Sequence, residues 1–243
     1  MSKERLDTLL VERGLAENRS KAQWMIMAGE VTVNGSVITK AGTPVLPDAE
    51  ITLAGKQPYV SRGGLKLEHA LNEFDIDVEG LTCLDVGAST GGFKDCLLKK
   101  GAVKVYALDV GYGQLDYRLQ QDIRVNVMDR VNAHHPFELL EKAGLAVVDV
   151  SFISLTMVLP NIFPHLDRHG SVVALFKPQF EAGREEVGKG GIIRDPLVHA
   201  RTICRFVVWM NEHRLVLLGL KASPVLGAEG NREFLLHLRE IQA

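Results

Sequence analysis

The chain has 243 residues, 46% of them hydrophobic, enough to bury the core of one large domain with a small one beside it. Its 28 basic and 30 acidic residues nearly cancel, so the chain is no polycation and any surface for nucleic acid must be a local patch. No apolar run approaches the ~20 residues of a membrane span, the N-terminal segment lacks the apolar centre of a signal peptide, and Cys83, Cys96 and Cys204 stand too far apart for a disulfide or zinc framework, so we expect a cytoplasmic protein with reduced core thiols, no metal and no stable membrane association.

In chain order, Leu6, Leu9 and Leu10, then Ala22, Met25 and Ile26, recur at helical spacing, with Gly14 and Gly29 where helices stop. Two β-branched runs around Asn34-Gly35 predict a hairpin, and "AEITLAG" a further strand, so residues 1–54 read as an ααβββ unit. The glycines and proline of "AGKQPYVSRGG" break every periodicity and place a linker near Ala54 to Pro58, taken as residues 55–60, with a second domain over 61–243. There, Leu67, Ala70, Leu71 and Phe74 mark an amphipathic helix. The strands "LTCLDV", "VKVYALDV", "IRVNVM", "LAVVDV" and "SVVALFK" then alternate with helical stretches, the pattern of an α/β, mostly parallel, Rossmann-like sheet. After a long helix at about Pro196 to His213, "RLVLLGL" and "REFLLHLR" are joined without a crossover helix and should close the sheet as an antiparallel hairpin.

The chemistry concentrates at strand ends. "LDVGASTGGF" carries Asp85 into a turn with Gly87, Ser89, Gly91, Gly92 and Phe93, and Asp109 ends the next strand, 22 residues after Gly87. A carboxylate there suits the ribose hydroxyls of an adenosine, which NAD and S-adenosylmethionine share, so Asp109 alone does not choose between them. The GxGxxG of dinucleotide binding is missing, and Asp85 could face the cationic amino group of a methionine moiety where it would repel a pyrophosphate. Asp129 and Asp149 end further strands, and Lys177 leaves the fifth just before Pro178, so four aspartates and one lysine are expected on the carboxyl rim, where open sheets bind ligands. Asp149 could equally cap the next helix. Arg5, Arg19 and Lys21 at the starts of the first two helices, and Arg184, Lys189 and Arg194 in the glycine-rich segment after Pro178, are candidate phosphate contacts, although neighbouring acidic residues dilute the first group.

Taken together, "YVSRGGLKL", "LDVGASTGGF", "VVDVSF", "LFKPQFE", "GGIIRDP" and "GNREF" resemble the hemolysin-A-like (TlyA) family of ribosomal-RNA 2'-O-methyltransferases, whose catalytic domain is FtsJ-like; residues 5–35 resemble an S4-type RNA-binding module. The resemblance spans essentially the whole chain. It implies S-adenosylmethionine as cofactor, a ribose, that of a cytidine, in ribosomal RNA as substrate, and a catalytic tetrad of Lys66, Asp149, Lys177 and Glu233. Lys177 is then the candidate for activating or steering the 2'-hydroxyl, as a base or as a hydrogen-bond donor. The alternatives are an NAD-dependent oxidoreductase and, from the family's name, a membrane-active hemolysin. The oligomeric state is left open.

Overall fold

The computed structural model describes residues 3–27, 29–53, 58–227 and 230–241, and the chain divides into two compact units, Met1–Pro58 and Tyr59–Ala243. Residues 54–57, which include the first half of the expected linker 55–60, lie outside the described residues.

In the small unit, β1 (Glu4–Arg5) leads into α1 (Leu6–Glu12) and α2 (Arg19–Met27), followed by β2 (Val31–Val33), β3 (Ser36–Val37), β4 (Pro44–Val45) and β5 (Ile51–Leu53). The helical spacing places Leu6, Leu9, Leu10, Ala22, Met25 and Ile26 in one buried cluster against Val31 and Val33. Asn34 and Gly35 both adopt left-handed φ (50° and 78°), which gives the tight hairpin between β2 and β3, and β5 pairs antiparallel with β2 on its other side. The ααβββ expectation omits a separate antiparallel pair, β1 with β4; strands of two residues are too short to leave a period-2 signature.

The large unit begins with α3 (Gly63–Glu73), then β6 (Thr82–Val86), α4 (Gly92–Lys99), β7 (Lys104–Asp109), α5 (Tyr117–Gln120), β8 (Val125–Asp129), β9 (Ala143–Val148), α6 (Leu155–Ile162), β10 (Leu166–Phe176), α7 (Pro178–Glu181), α8 (Pro196–Glu212), β11 (Leu215–Ala222) and β12 (Phe234–Glu240). The sheet order is β11-β12-β10-β9-β6-β7-β8, with β6 to β10 parallel and β12 antiparallel to both its neighbours. Central strands such as β9 and β10 are buried on both faces and so read as continuous apolar runs. One face is covered by α6 and α8 through Leu155, Leu159, Phe206 and Met210, the other by α3 and α4 through Leu67, Leu71, Cys96 and Leu97. The chain winds outward from β6 through β8, then returns to lay β9 against the other side of β6. That reversal is the switch point at which an open sheet leaves a crevice for ligand.

The core-thiol expectation holds for two cysteines only. Burial pushes Cys83 up to about 12 and Cys96 up to about 11, whereas Cys204 lies exposed on α8. Among the described residues no helix is long and apolar enough to cross a membrane.

Candidate active site

The glycine turn after β6 is built for close approach. Gly87 (φ 85°) presses against the backbone of Asp149, Gly91 (φ 109°) against the side chains of Leu115 and Leu119, and Gly92 against Ser61 and the start of α3; a Cβ at any of the three would collide. Ser89 takes a left-handed φ of 43° without being glycine, a conformation that costs of order 1–3 kcal/mol and must be held by its surroundings. Asp109 supplies part of the hold: Ser89 N donates to its Oδ2 at 2.7 Å, and Gly111 N donates to its Oδ1 at 2.7 Å. Gly87 N and Ala88 N both donate to Leu108 O, so the turn hangs from the end of β7.

Two cavities open on this turn and share Gly87, Ser89 and Asp149. The larger, about 410 Å³, is walled by Val110, Val131, Ala133, Phe152, Ile153 and Val158, with the Asp109 carboxylate as its charged group apart from shared Asp149. Apolar walls beside one carboxylate suit a flat heterocycle with a vicinal diol, because each carboxylate oxygen has a further lone pair to accept a hydroxyl. The smaller, about 240 Å³, is polar and basic, lined by Ser61, Arg62, Lys66, Asp149, Gly227 and the turn itself.

Two lysine–carboxylate pairs each give one residue to the lining of the smaller cavity, Asp149 from one and Lys66 from the other. Lys177, leaving β10, places Nζ 2.7 Å from Asp149 Oδ1 and donates to Ser151 Oγ at 2.8 Å. Lys66 on α3 places Nζ 2.5 Å from Glu233 Oε2, just before β12. Asp149 is the most open of the four, its side chain 24% exposed, and Glu233 the least, at 3%. Parallel pairing of β9 with β10 makes the first pair, since Val148 and Ala174 are in register and both strand ends emerge on the same rim. The second pair needs β12 inserted antiparallel beside β10, which returns Glu233 to that rim. Gly227 packs directly on the Glu233 carboxylate. Asn231, 4% exposed, accepts from Ile193 N and donates to Gly191 O, tying the glycine-rich segment to the loop that carries Glu233.

Three residues of the site stand outside the sequence expectation. Phe152 follows Asp149 by three residues, is 90% exposed with a left-handed φ of 64°, and lies 5.1 Å between ring centroids from Phe180, three residues after Lys177. Glu181 accepts from Ser154 Oγ at 2.6 Å and Leu155 N at 2.7 Å, joining the loop after β9 to the segment after β10; burial holds its carboxyl above the usual range. Arg62 lies exposed at the cavity edge. The cap of α6 is Ser154, accepting from Thr156 N, so Asp149 remains available to Lys177.

Several expected contacts are corrected. Asp85 does not face the cavity: it is wholly buried beneath the turn, with Lys94 Nζ 3.4 Å away, because it lies inside β6, one residue before the strand ends, where the first turn of α4 covers it. Asp129 lines neither cavity; its Oδ2 accepts from Gly113 N at 3.1 Å and steadies the loop after β7. Phe93, although buried with its ring packed on Gly63, does line the smaller cavity. In the small unit, Arg5 donates from Nε and Nη2 to the two oxygens of buried Asp7, at 2.9 Å each, and Arg19 Nε reaches Asp7 Oδ2 at 3.0 Å, so both guanidiniums are anchored on Asp7 while their side chains stay more than half exposed. These contacts, that of Arg5 foremost, hold the Asp7 carboxyl well below its ordinary range. Lys21 lies over the half-exposed Trp24 ring, 4.3 Å from its centroid. Arg184, Lys189 and Arg194 are all exposed.

Comparison with known proteins matches residues 59–240 to the FtsJ-like methyltransferase family and residues 4–51 to the S4 domain. The chain belongs to the FtsJ-like methyltransferases. YqxC of Bacillus subtilis is 50% identical over 240 residues, 97% of this chain and 85% of that protein. Hemolysin A of Brachyspira hyodysenteriae is 45% identical over 236 residues, 96% of this chain and 98% of that protein, and the 16S/23S rRNA (cytidine-2'-O)-methyltransferase TlyA of Mycobacterium tuberculosis is 44% identical over 239 residues, 97% and 89%. A solved structure from Streptococcus thermophilus, 42% identical, superposes with a TM-score of 0.78 over 100% of this chain and 90% of its own.

Proposed function

We propose that this FtsJ-like methyltransferase transfers a methyl group from S-adenosylmethionine to a ribose 2'-oxygen, that of a cytidine, in ribosomal RNA, acting in the cytoplasm. The observation that carries the reading is the Lys177–Asp149 pair on the rim of the same crevice as the glycine turn and Asp109. The residues fit the cofactor: Gly87, Gly91 and Gly92 have no room for a side chain and keep the turn's backbone tight, and Asp109 stands over an apolar cavity of nucleoside size. When bound, S-adenosylmethionine supplies an electrophilic methyl on a sulfonium.

The chain's own residues then have distinct tasks. Asp109 accepts the cofactor's ribose hydroxyls, with Val110, Val131 and Ile153 beside the base. An ammonium has three donors. Lys177 commits two, to Asp149 and Ser151, which leaves the third to donate to the 2'-oxygen of the target; the hydroxyl's proton passes to the Asp149 carboxylate as the oxygen–methyl bond forms and the methyl–sulfur bond breaks, leaving a neutral thioether. Lys66, fixed by Glu233, holds the other side of the small cavity, where it and Arg62 meet the nucleotide's phosphate. The open face of Phe152 offers a stacking surface for a base splayed out of its helix. Residues 1–54, with Lys21 and Trp24, and the exposed Arg184, Lys189 and Arg194 dock the surrounding RNA.

The relatives' rRNA specificity supports the choice of substrate class. Mapping 2'-O-methylation across ribosomal RNA from cells with and without this gene tests it. The proposal expects at least one ribose, on a cytidine, to lose its methyl group in the deletion strain; identical maps would overturn it.

A further inference from the structure

A second aspartate–lysine pair lies outside these tasks. Lys94, in the first turn of α4, is wholly buried, and so is Asp85 on β6. The Lys94 ammonium stands 3.4 Å from Asp85 Oδ2 and donates to the carbonyl oxygen of Ala88 at 3.0 Å. Neither Asp85 oxygen accepts a hydrogen bond, and burial pushes that carboxyl's proton affinity upward while Lys94 opposes the shift. Removing two charged groups from water is costly, and a core of this kind could hold apolar side chains instead, so the pair calls for a task. Its geometry indicates one. Ala88 sits between Gly87 and Ser89, two of the three left-handed residues of the turn, and its carbonyl is the point at which a helix side chain reaches back into that turn.

We infer that Lys94 is a positioning residue for the cofactor turn, neutralising Asp85 from inside the protein and pinning the Ala88 carbonyl so that Gly87 to Gly92 keep the shape the cofactor requires. The inference rests on the cofactor reading above. It assigns Asp85 a partner within the fold and leaves the cofactor's ammonium to other acceptors. Lys94 touches neither substrate nor reacting atoms. Its replacement therefore weakens cofactor binding and raises KM for the cofactor, while kcat at saturation and RNA affinity stay near wild type.

Purified full-length protein, its Lys94→Met variant and the double variant Asp85→Asn/Lys94→Met are compared by thermal melting and by calorimetry with S-adenosylmethionine. Lys94→Met strands a buried carboxylate, so it should melt lower and bind the cofactor about tenfold more weakly. The double variant removes the stranded charge. It should regain most of the melting temperature yet remain about tenfold weaker for the cofactor, because the bond to Ala88 is still missing. Wild-type affinity in either variant overturns the inference, as does affinity that recovers in step with melting temperature, since the lysine would then only balance charge. Failure of the double variant to fold also overturns it, because Asp85 would not be what Lys94 balances. If the wild-type protein itself fails to bind S-adenosylmethionine, the cofactor reading falls instead.

Discussion

Two aspartate–lysine pairs sit at the ends of adjacent strands, and they differ in access to water. Asp149 follows β9 and meets Lys177 at 2.7 Å on the wall of a cavity, whereas Asp85 on neighbouring β6 faces Lys94 at 3.4 Å with both side chains enclosed. An enclosed pair can hold shape but cannot exchange a proton with a substrate; a pair on the rim can do both. Charge type is identical in the two cases. What separates them is position along the strand: Asp85 lies level with Val147 inside the sheet, whereas Asp149, two residues farther on the same alternation, emerges past the end of β9. A third, more peripheral version occurs in the small unit, where buried Asp7 gathers Arg5, Arg19 and Gln23.

The comparison breaks most readily at Lys177. Lys177→Ala should lower the single-turnover methyl-transfer rate by ~10²- to 10⁴-fold while leaving affinities for cofactor and RNA nearly unchanged. A wild-type rate would remove the distinction between open and enclosed pairs, and with it the roles given to Lys66, Asp149 and Glu233. Lys177→Arg sharpens the point, since arginine keeps the charge but cannot accept the proton. Activity retained in that variant would mean that orientation of the hydroxyl is enough.

Asp109→Ala comes next. It should weaken S-adenosylmethionine binding by about ten- to a hundredfold, measured by calorimetry, since it removes a charge-assisted contact to the ribose. It also frees Ser89 N and Gly111 N, so Asp109→Asn, which keeps one carbonyl acceptor, should fall between alanine and wild type. Equal affinity in all three would move the ribose elsewhere.

Removal of residues 1–58 should leave cofactor affinity in place, weaken binding to ribosomal RNA and reduce its dependence on salt, because phosphate contacts release counterions. An unchanged salt slope would make the small unit a bystander in RNA binding. The last effect is on stability rather than on methyl transfer, and it belongs to Asp7. Its carboxyl is held low by Arg5 foremost, with Gln23 and Arg19 assisting, against a burial cost. A carboxylate lowered on folding stabilises fully above its unfolded value, near pH 4, and that contribution drains away as pH falls toward the folded value. Asp7→Asn should cost the small unit about 1.5–3 kcal/mol near neutrality and remove most of its acid sensitivity below about pH 4, followed by circular dichroism melts across pH.

Much of the fold is legible in the residues themselves. The apolar runs at β6, β7, β9 and β10, the Asn34-Gly35 turn and the terminal hairpin all carry local signals long or specific enough to read. The β1–β4 ladder is not, because two-residue strands have no periodicity. At the site, strand-end positions bring Asp109, Asp149 and Lys177 together, but Asp85 and Asp129 share the same sequence grammar and do not join them. The fate of Arg19 depends on a contact twelve residues apart in sequence, with Asp7, that no pattern announces, whereas Arg5 meets the same carboxylate from two residues away. Lys94 did leave a trace. It lies three and four residues before Leu97 and Leu98, on the buried face of α4, where a lysine is out of place unless it has a partner. Phe152 owes its exposure to a left-handed backbone that only coordinates reveal.

The central claim is that the open pair serves transfer to a ribose oxygen. Purified protein incubated with S-adenosylmethionine and ribosomal subunits, followed by nuclease digestion and mass spectrometry of the nucleosides, tests it most directly. The account predicts 2'-O-methylcytidine from the wild-type protein and almost none from Lys177→Ala. A base-methylated nucleoside, no methylated product from the wild-type protein, or equal yields from both proteins would contradict it.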